Sequence, residues 1–460
     1  MSHTRSWTVR ILSVLLLVAA SMAFVGVGAA QHTSLSPIDE YVYIDYLAKV
    51  GSQGAVASGE ATGEFAREYL DCHGVQYALE PRPEFCGTGV SGTDADYPFG
   101  GANTADLYTP IYFAITRVLA QPLMTLGGMD LVAAGRLVGA VWLAAAAVLL
   151  AGSLRRLGAD RMLSVAAPLL LIGSLPIWWS TTFVTTDATA PVAGAALLYV
   201  TVRWAQSGRG AWMLPTIALV ATLAKLQNLM AVAACAITLV VLAWRRSLPE
   251  AVTTRRVVTV LGSMLILPLI GQGVWSVLRP KLADPLSGAQ GITQPLTGDA
   301  LVREVLKFFG SYTTSGRDPL LFNAPGYLVA TVLGWAIVGG ILAALVLYGP
   351  RVVRRSEVSS VTPDPENARN SLLFALALGV LIVSLLGGPL LVAALWLTGQ
   401  GYFPLPTRYA LSLFPIALAI TVTLCARARA GRVLILIGAP VAFVCGLLFV
   451  FTGTPLGSGS

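Results

Sequence analysis

Two adjacent acids, Asp39 and Glu40, are the residues of this sequence best placed to carry out a reaction. They stand a few residues after a long apolar run, 11–30, and a stretch rich in tyrosine, 41–46, follows them directly. A carboxylate at the point where a first transmembrane helix leaves the bilayer can remove a proton from the hydroxyl of a substrate beside the lipid. The position therefore predicts chemistry at the outer face of a membrane.

The same residues also fit a purely structural role. Ser36 is a good N-cap, Pro37 suits the first position of a helix and Asp39 falls at the third, which is a capping-box pattern. The helix dipole would favour Glu40 in that first turn, and tyrosines such as Tyr43 anchor helices at a membrane surface. The spacing alone leaves both interpretations open.

Three further polar positions stand at the ends of apolar runs on the same predicted side. Asp187 opens one run, Lys225 lies in a short turn between two others, and Arg408 with Tyr409 opens another. The structural alternatives are an N-cap for Asp187, a solvated hairpin tip for Lys225 and an arginine that snorkels to the bilayer surface for Arg408. A cation on the outer side runs against the usual charge bias, and a bound phosphate would account for it.

The composition predicts an integral membrane protein with many spans. Apolar residues make up 55% of the 460 residues, charged residues make up 12%, and apolar runs recur along the whole chain. The formal net charge of +7 comes from short Arg and Lys clusters between those runs, which is typical of topology signals and not of a nucleic-acid surface. The abundance of Arg over Lys, with much Ala, Val and Leu, favours a bacterial origin.

Several kinds of site are missing from the sequence. It has no Walker loop, no glycine fingerprint for a dinucleotide and no serine nucleophile elbow. Its three histidines, His3, His32 and His73, are scattered, and no cluster of Cys and His fits zinc. We therefore expect no metal ion, no cofactor and no nucleic-acid partner.

The apolar runs predict an all-α polytopic protein with about eleven transmembrane helices, further interfacial helices and a mixed outer lobe. The stretch 107–126 is ambiguous because Arg117 lies in its middle. If it crossed the membrane, the later Arg clusters would fall outside, against the positive-inside rule. We therefore expect an interfacial helix there and a cytoplasmic N-terminus in a bacterial plasma membrane. The predicted spans are 10–30, 130–154, 162–179, 188–203, 211–224, 226–244, 257–278, 325–349, 371–398, 408–426 and 433–452.

The first apolar run could also be a cleaved signal peptide. Its apolar core is longer than the roughly 7–15 residues of such a segment, which favours an uncleaved helix. Cys72 and Cys86 fall in the outer segment after it, where the compartment is oxidising, so we expect a disulfide between them; two free thiols in one loop are the alternative. The predicted division of the chain is a first helix, an outer segment with the acidic pair and the interfacial helix, a block of transmembrane helices, a second outer segment and a C-terminal block of helices: 1–30, 31–129, 130–278, 279–324 and 325–460.

Taken in order, these motifs resemble those of the C superfamily of integral-membrane glycosyltransferases, the GT-C enzymes. That family includes the protein O-mannosyltransferases, the lipid A aminoarabinose transferases and further bacterial families. In its members an acidic motif follows the first helix, an interfacial stretch with tyrosine comes next, and outer turns with Lys and Arg come later. The counterparts in this chain are Asp39-Glu40, Leu107-Tyr108-Thr109-Pro110-Ile111-Tyr112, Arg136-Leu137, Thr186-Asp187-Ala188, Ala224-Lys225-Leu226-Gln227, and Arg408-Tyr409 with Pro415.

The resemblance implies transfer of a sugar from a polyprenyl-phosphate donor to an extracytoplasmic acceptor, a glycan, lipid or protein of the cell envelope. Asp39 would deprotonate the acceptor hydroxyl, and Glu40 would orient the acceptor or the sugar. Lys225 and Arg408 would bind the donor phosphate. The remaining residues implied for the substrate site are Tyr43, Tyr108, Asp187 and Tyr409.

Two alternatives come from other classes of protein. The first is a lipid or solute transporter or flippase, which buried charges at the bilayer midplane would favour. The second is a non-catalytic subunit of a cell-envelope assembly. The large outer lobe and the altered interfacial motif are departures from the family pattern.

Overall fold

The computed structural model describes residues 2–76, 79–89, 92–283, 286, 295–313, 324–355, 365–397 and 402–452. Within these ranges the chain forms α-helices joined by 3-10 turns, and its β-structure is limited to isolated bridges. The all-α prediction is confirmed for these residues, and the lobe predicted as mixed consists of helices, turns and single bridges. The helices are α1 (Ser2–Gln31), α2 (Glu40–Gln53), α3 (Glu64–His73), α4 (Ile111–Gly127), α5 (Leu131–Arg156), α6 (Arg161–Ile172), α7 (Leu175–Thr182), α8 (Thr189–Ser207), α9 (Met213–Ala224), α10 (Leu229–Trp244), α11 (Thr254–Leu278), α12 (Gly298–Val305), α13 (Ala324–Arg355), α14 (Pro365–Leu397), α15 (Phe414–Cys425) and α16 (Arg429–Thr452).

Eight helical segments of the described residues are long and apolar enough to cross a membrane. They are built on α1, α5, α10, α11, α13, α14, α15 and α16. The pair α6 and α7, bent by 68°, would add a ninth. Of the other predicted spans, α8 is not among these segments and α9 has only 12 residues. The chain is therefore consistent with a multi-pass membrane protein, and the total of about eleven spans stays a prediction.

The predicted span 162–179 is wrong as a single helix, because the chain breaks between α6 and α7. Gly173 ends α6, and Pro176 lies in the first turn of α7. Proline lacks a backbone N–H and disfavours helical backbone in the residue before it, so the helix ends there and a new one begins. The new direction brings α7 to the extended residues that lead into Asp187.

Helix α5 is the central support of the site. It begins at Asp130, whose carboxylate accepts hydrogen bonds from the backbone N–H groups of Val132 and Ala133 at 2.8 and 2.9 Å. It ends at Arg155 and Arg156, where positive charge interacts favourably with the helix dipole. It packs against both α1 and α8, and its Arg136 contacts Ser34 after α1 and Glu40 at the start of α2.

A separate apolar core joins the predicted outer lobe, which contains α2, α3 and the turns up to Leu107, to the bundle. It is formed by buried residues of α2, α4 and the first turn of α5, and the rings of Tyr46 and Phe113 stack there with centroids 4.0 Å apart. Cys72 at the end of α3 is joined to Cys86 by the predicted disulfide, which is confirmed. The alternative of two free thiols is wrong.

Helix α4, formed by the ambiguous stretch, begins at one end of the bundle. Thr109 Oγ1 donates to the carbonyl of Leu223 at 2.6 Å, and Trp275 Nε1 donates to the carbonyl of Leu107 at 3.1 Å. The start of α4 therefore lies beside the C-terminal ends of α9 and α11. A short turn follows Gly127 and leads into α5. Helix α4 is not among the segments able to cross a membrane.

A close backbone contact sets α8 against the segment that leads into α15. A Cβ atom added to Gly194 would lie 1.9 Å from the carbonyl oxygen of Ser412, so only glycine allows this approach. Gly194 is about two turns beyond Asp187, and Ser412 is about one turn beyond Arg408. The contact therefore helps to bring those two charged residues together.

Candidate functional site

Asp39 lies in a backbone conformation that side chains rarely adopt. Its φ is 58°, in the left-handed region, and α2 begins only at the next residue. The Asp39 carbonyl accepts the hydrogen bond from the N–H of Tyr43 at 3.1 Å, while its side chain makes no cap bond. Ser36 Oγ accepts from the N–H of Ile38 at 3.0 Å instead of capping a helix. The capping-box interpretation is therefore wrong, and a strained residue of this kind is typical of functional sites.

Glu40 has a different role from the one predicted. Its side chain is fully buried, and its carboxylate accepts hydrogen bonds from Arg136 at 2.8 and 2.7 Å. It also accepts from the backbone N–H groups of Ser36 at 2.7 Å and Val184 at 2.9 Å. With both oxygens engaged and no exposed surface, Glu40 has no means of contacting an acceptor or a sugar. The predicted contact of Glu40 with a substrate is therefore wrong for this arrangement, in which the carboxylate joins the start of α2 to Arg136 and Val184.

Arg136 completes this arrangement from α5. Besides Glu40, it donates to the backbone carbonyls of His32 and, at 2.9 Å, Ser34, just beyond the end of α1. Its guanidinium also lies over the ring of Phe183, 5.0 Å from the centroid. We call Glu40 and Arg136 together the clamp. It ties the end of α1 and the start of α2 to the residues that lead into Asp187.

A buried ionic cluster lies next to Asp39, on the side away from the clamp. Lys225 and Asp187 form an ion pair in which both side chains are almost completely buried, and Arg408 Nε lies 3.3 Å from the second oxygen of Asp187. Tyr409 lies against both cations, with its ring centroid 5.7 Å from each. The interpretation of Lys225 as a solvated hairpin tip is wrong, because the side chain is 2% exposed.

Asp187 is the anion that holds this cluster together. Burial acts to raise the pKa of its carboxyl, but the charges of Lys225 and Arg408 and the hydrogen bonds from Lys225 and Thr185 outweigh it and keep that pKa below its usual value. Asp187 therefore stays ionised. Asp187 is not the N-cap that the alternative interpretation predicted. Thr185 caps this turn instead, and its Oγ1 accepts from the N–H of Asp187 at 3.2 Å.

Arg408 links the buried cluster to Asp39. Its Nη2 lies 3.6 Å from an Asp39 carboxylate oxygen, too far for a hydrogen bond. Among the described residues its Nε has no aligned acceptor, despite the 3.3 Å approach to Asp187. The interpretation of Arg408 as a snorkelling residue is wrong, since it points toward two carboxylates. Asp39 is the most open member of the group, with 33% of its side chain exposed.

We call the partly exposed surface of Asp39 and Arg408 the opening of the site, and two tyrosines lie beside it. The hydroxyl of Tyr43 donates to that of Tyr108 at 3.2 Å, and their rings meet edge to face. Burial, the neighbouring Tyr108 hydroxyl and the negative charges of Asp39 and Asp187 raise the pKa of Tyr43 well above its ordinary value. Tyr43 therefore keeps its proton and can serve only as a neutral hydrogen-bonding group.

The fold thus gathers most of the predicted site residues from distant parts of the sequence. Asp39, Tyr43, Tyr108, Asp187, Lys225, Arg408 and Tyr409 lie around one opening, whereas Cys72 and Cys86 belong to the outer lobe. Sequence reasoning gave no role to the Arg136 side chain, although an arginine inside an apolar helix is itself a signal of a special contact. Residues 398–401, which precede Arg408 by a few positions, lie outside the described residues.

The site combines a partly exposed carboxylate with an arginine, residue types that can accept a proton and bind an anion. Within the described ranges no group of three or more His, Cys, Asp or Glu side chains could hold a metal ion. No protein-family model and no curated protein matches the chain. The fold and the site together define an all-helical protein of the multi-pass membrane class, with an acid and an arginine at a shared opening.

Proposed function

We propose that this protein is a glycosyltransferase of a bacterial plasma membrane. It moves a sugar from a polyprenyl-phosphate donor to an acceptor on the outer side: a glycan, lipid or protein of the cell envelope. The observation that carries the proposal is the pairing of Asp39 with Arg408 at one opening. An accessible carboxylate can take a proton beside an arginine that can bind a phosphate.

The donor class follows from the location of the opening. Residues directly before α2 and before α8 meet residues at the end of α9 and before α15, so the opening lies at the ends of helices. Nucleotide sugars stay in the cytoplasm, and a site at the outer surface needs a donor that the membrane itself carries. A polyprenyl phosphate would place its chain in lipid and its charged group at the helix ends.

Arg408 is the better candidate for the phosphate contact. Its side chain is 15% exposed, and its interactions with Asp39 and Asp187 are long or poorly aligned, so its donors can turn to a new anion. Lys225 is buried against Asp187, so its ammonium group contacts that carboxylate and not a bound phosphate. We therefore assign Lys225 to holding Asp187 and Arg408 in place.

The proposed reaction uses Asp39 as the general base. The acceptor hydroxyl transfers its proton to a carboxylate oxygen of Asp39 while its oxygen attacks the anomeric carbon of the donor sugar. The bond from that carbon to the phosphate oxygen breaks, and polyprenyl phosphate leaves with the electron pair. Arg408 stabilises the charge on the leaving phosphate. Binding of the phosphate to Arg408 also weakens the hold of that arginine on Asp39.

The test is transfer by purified protein in liposomes, with a panel of polyprenyl-phosphate sugars and measurement of released polyprenyl phosphate. Asp39→Asn keeps the size of the side chain but cannot take the proton, so turnover should fall by roughly 10²–10⁴. Glu84→Gln, which changes an exposed acid of the outer lobe, is the matched control. Its turnover should equal that of the native protein.

Two results would contradict the proposal. Near-native turnover in Asp39→Asn would contradict the assignment of Asp39 as the general base. Absence of transfer with every donor of the panel would contradict the proposed glycosyltransferase activity. The flippase alternative predicts movement of the donor lipid across the bilayer, measured in the same liposomes. The ionic cluster at the helix ends, away from the middle of the bundle, favours the transferase.

A further inference from the structure

A groove separate from the opening at Asp39 runs between α2 and α4. It has a volume of about 800 Å³ and is lined by the C-terminal half of α2 and the middle and end of α4. The α2 side contributes small residues, including Ala48 and Gly51, and the α4 side contributes Val118, Pro122 and Leu126. The groove is therefore mostly apolar.

Arg117 is the only ionisable residue that lines this groove in the described structure. Its side chain crosses α2 at Gly51, where an added Cβ would lie 3.8 Å from Nε. Its one hydrogen bond to a described residue goes from Nη1 to the thioether of Met124 at 3.3 Å. A thioether is a weak acceptor, and no carboxylate of the described residues pairs with Arg117, so its positive charge has no anionic partner within that part of the chain.

The surroundings of Arg117 indicate where that anion would come from. On α4, Val118 and Leu126 are 70% and 89% exposed, so large apolar side chains flank the groove. The start of α4 lies at the end of the bundle where α9 and α11 end, which suits a helix lying in the membrane surface. In such a helix the apolar side chains contact acyl chains while an arginine meets the phosphate of a headgroup.

We propose that the groove between α2 and α4 binds an anionic phospholipid, with its phosphate on Arg117 and an acyl chain along Val118, Pro122 and Leu126. Gln121, Thr125 and Ser52 border the same groove and can bond the polar part of the headgroup. Bound lipid would fill the space between the two helices and fix α2, whose N-terminal end carries Asp39. The site does not depend on the proposed sugar transfer.

The test uses photoactivatable phosphatidylglycerol and phosphatidylcholine, each mixed into vesicles that hold the full-length protein, with crosslinked peptides mapped by mass spectrometry. Phosphatidylglycerol should label peptides of α2 and α4 in native protein. Arg117→Gln should reduce this labelling about fivefold, which is the contribution of one basic residue at an anionic surface. Arg117→Lys should keep most of it, and Arg209→Gln, an exposed arginine outside the groove, should leave it unchanged.

Each other result counts against the proposal. Unchanged labelling in Arg117→Gln, or no label on α2 and α4 in native protein, would overturn it. Equal labelling by phosphatidylcholine would show that the groove accepts chains without recognising net charge. Competition by soluble glycerol 3-phosphate as strong as that by phosphatidylglycerol would overturn the assignment to a lipid. Gln121→Glu, which places a negative charge in the groove while keeping Arg117, should reduce labelling and guards against a folding defect in Arg117→Gln.

Discussion

Asp39 and Glu40 are neighbours in the sequence with opposite surroundings. Glu40 is enclosed by Arg136 and two backbone N–H groups, whereas Asp39 turns toward Arg408 in a strained conformation. The pair could be identified from the sequence because it follows the first apolar run. The separate roles could not, because the partners of Glu40 lie 96 and 144 residues further along the chain.

Arg408 is expected to bind the donor phosphate through its planar guanidinium. Arg408→Lys keeps the charge but loses the fork that can hold two phosphate oxygens, so affinity for polyprenyl phosphate should fall measurably. Arg408→Ala should weaken binding more, about tenfold or beyond, since a hydrogen bond to a charged group is lost. Equilibrium binding of a fluorescent polyprenyl phosphate would measure both variants.

Arg279→Lys provides the control for Arg408→Lys. Arg279 pairs with Asp106 at 3.3 Å at the outer lobe, away from the ionic cluster, and the same substitution there should leave donor affinity unchanged. Native affinity in Arg408→Ala would mean that the phosphate binds elsewhere.

At the scale of elements, the clamp formed by Glu40 and Arg136 should fix three segments at once. Arg136→Met leaves the Glu40 carboxylate buried without its partner, which should reduce the free energy of unfolding by about 3–5 kcal/mol. Adding Glu40→Leu removes the uncompensated charge and should restore part of that stability. Activity should stay low in the double variant, because nothing then holds the loop that carries Asp39. Thermal unfolding and turnover, measured together, separate the two effects.

A clamp with a structural role alone gives a different pattern. Turnover of the double variant would then recover in step with its melting temperature. That recovery would contradict the positioning role.

The contact between α8 and the segment before α15 should be equally sensitive. Gly194→Ala places a methyl group against the Ser412 carbonyl and forces the two backbones apart, so Arg408 moves away from Asp187. We expect donor affinity and stability both to fall, the latter by about 1–3 kcal/mol as for other overpacked sites. Gly262→Ala is the matched control, because a Cβ there meets no neighbouring atom within 4 Å and helix propensity changes equally. Equal melting temperatures in the two variants would count against this account.

For the whole molecule, the sequence predicted most of the long helices but not all of their interruptions. Long apolar runs correspond to the eight segments able to cross a membrane, because length and hydropathy are local properties. Gly173 and Pro176 are residue types that interrupt helices. Because they lie inside one continuous apolar run, that run predicts a single span and not a broken one. The side-chain partners of Arg136 and Lys225 could not be read from any local pattern, since each depends on how distant helices pack.

The arrangement of the chain across the membrane is the last prediction, and it depends on α4. If α4 lies in the outer surface, α5 enters the membrane from outside and the turns after α8 and α10 face the cytoplasm together with the N-terminus.

Ser207→Cys and Glu250→Cys, both at exposed positions, should then react with an impermeant maleimide only after the cells are made permeable. Ser52→Cys and Glu84→Cys, in the outer lobe, should react in intact cells. Native protein labelled in parallel corrects for the partly exposed Cys425 and Cys445. Reaction of Ser207→Cys and Glu250→Cys in intact cells would mean that the chain has the opposite orientation, with the end of the bundle that holds Asp39 and Arg408 facing the cytoplasm. Asp187, Lys225 and Arg408 would then face the cytoplasm, where soluble nucleotide sugars are present and a lipid-carried donor is no longer required.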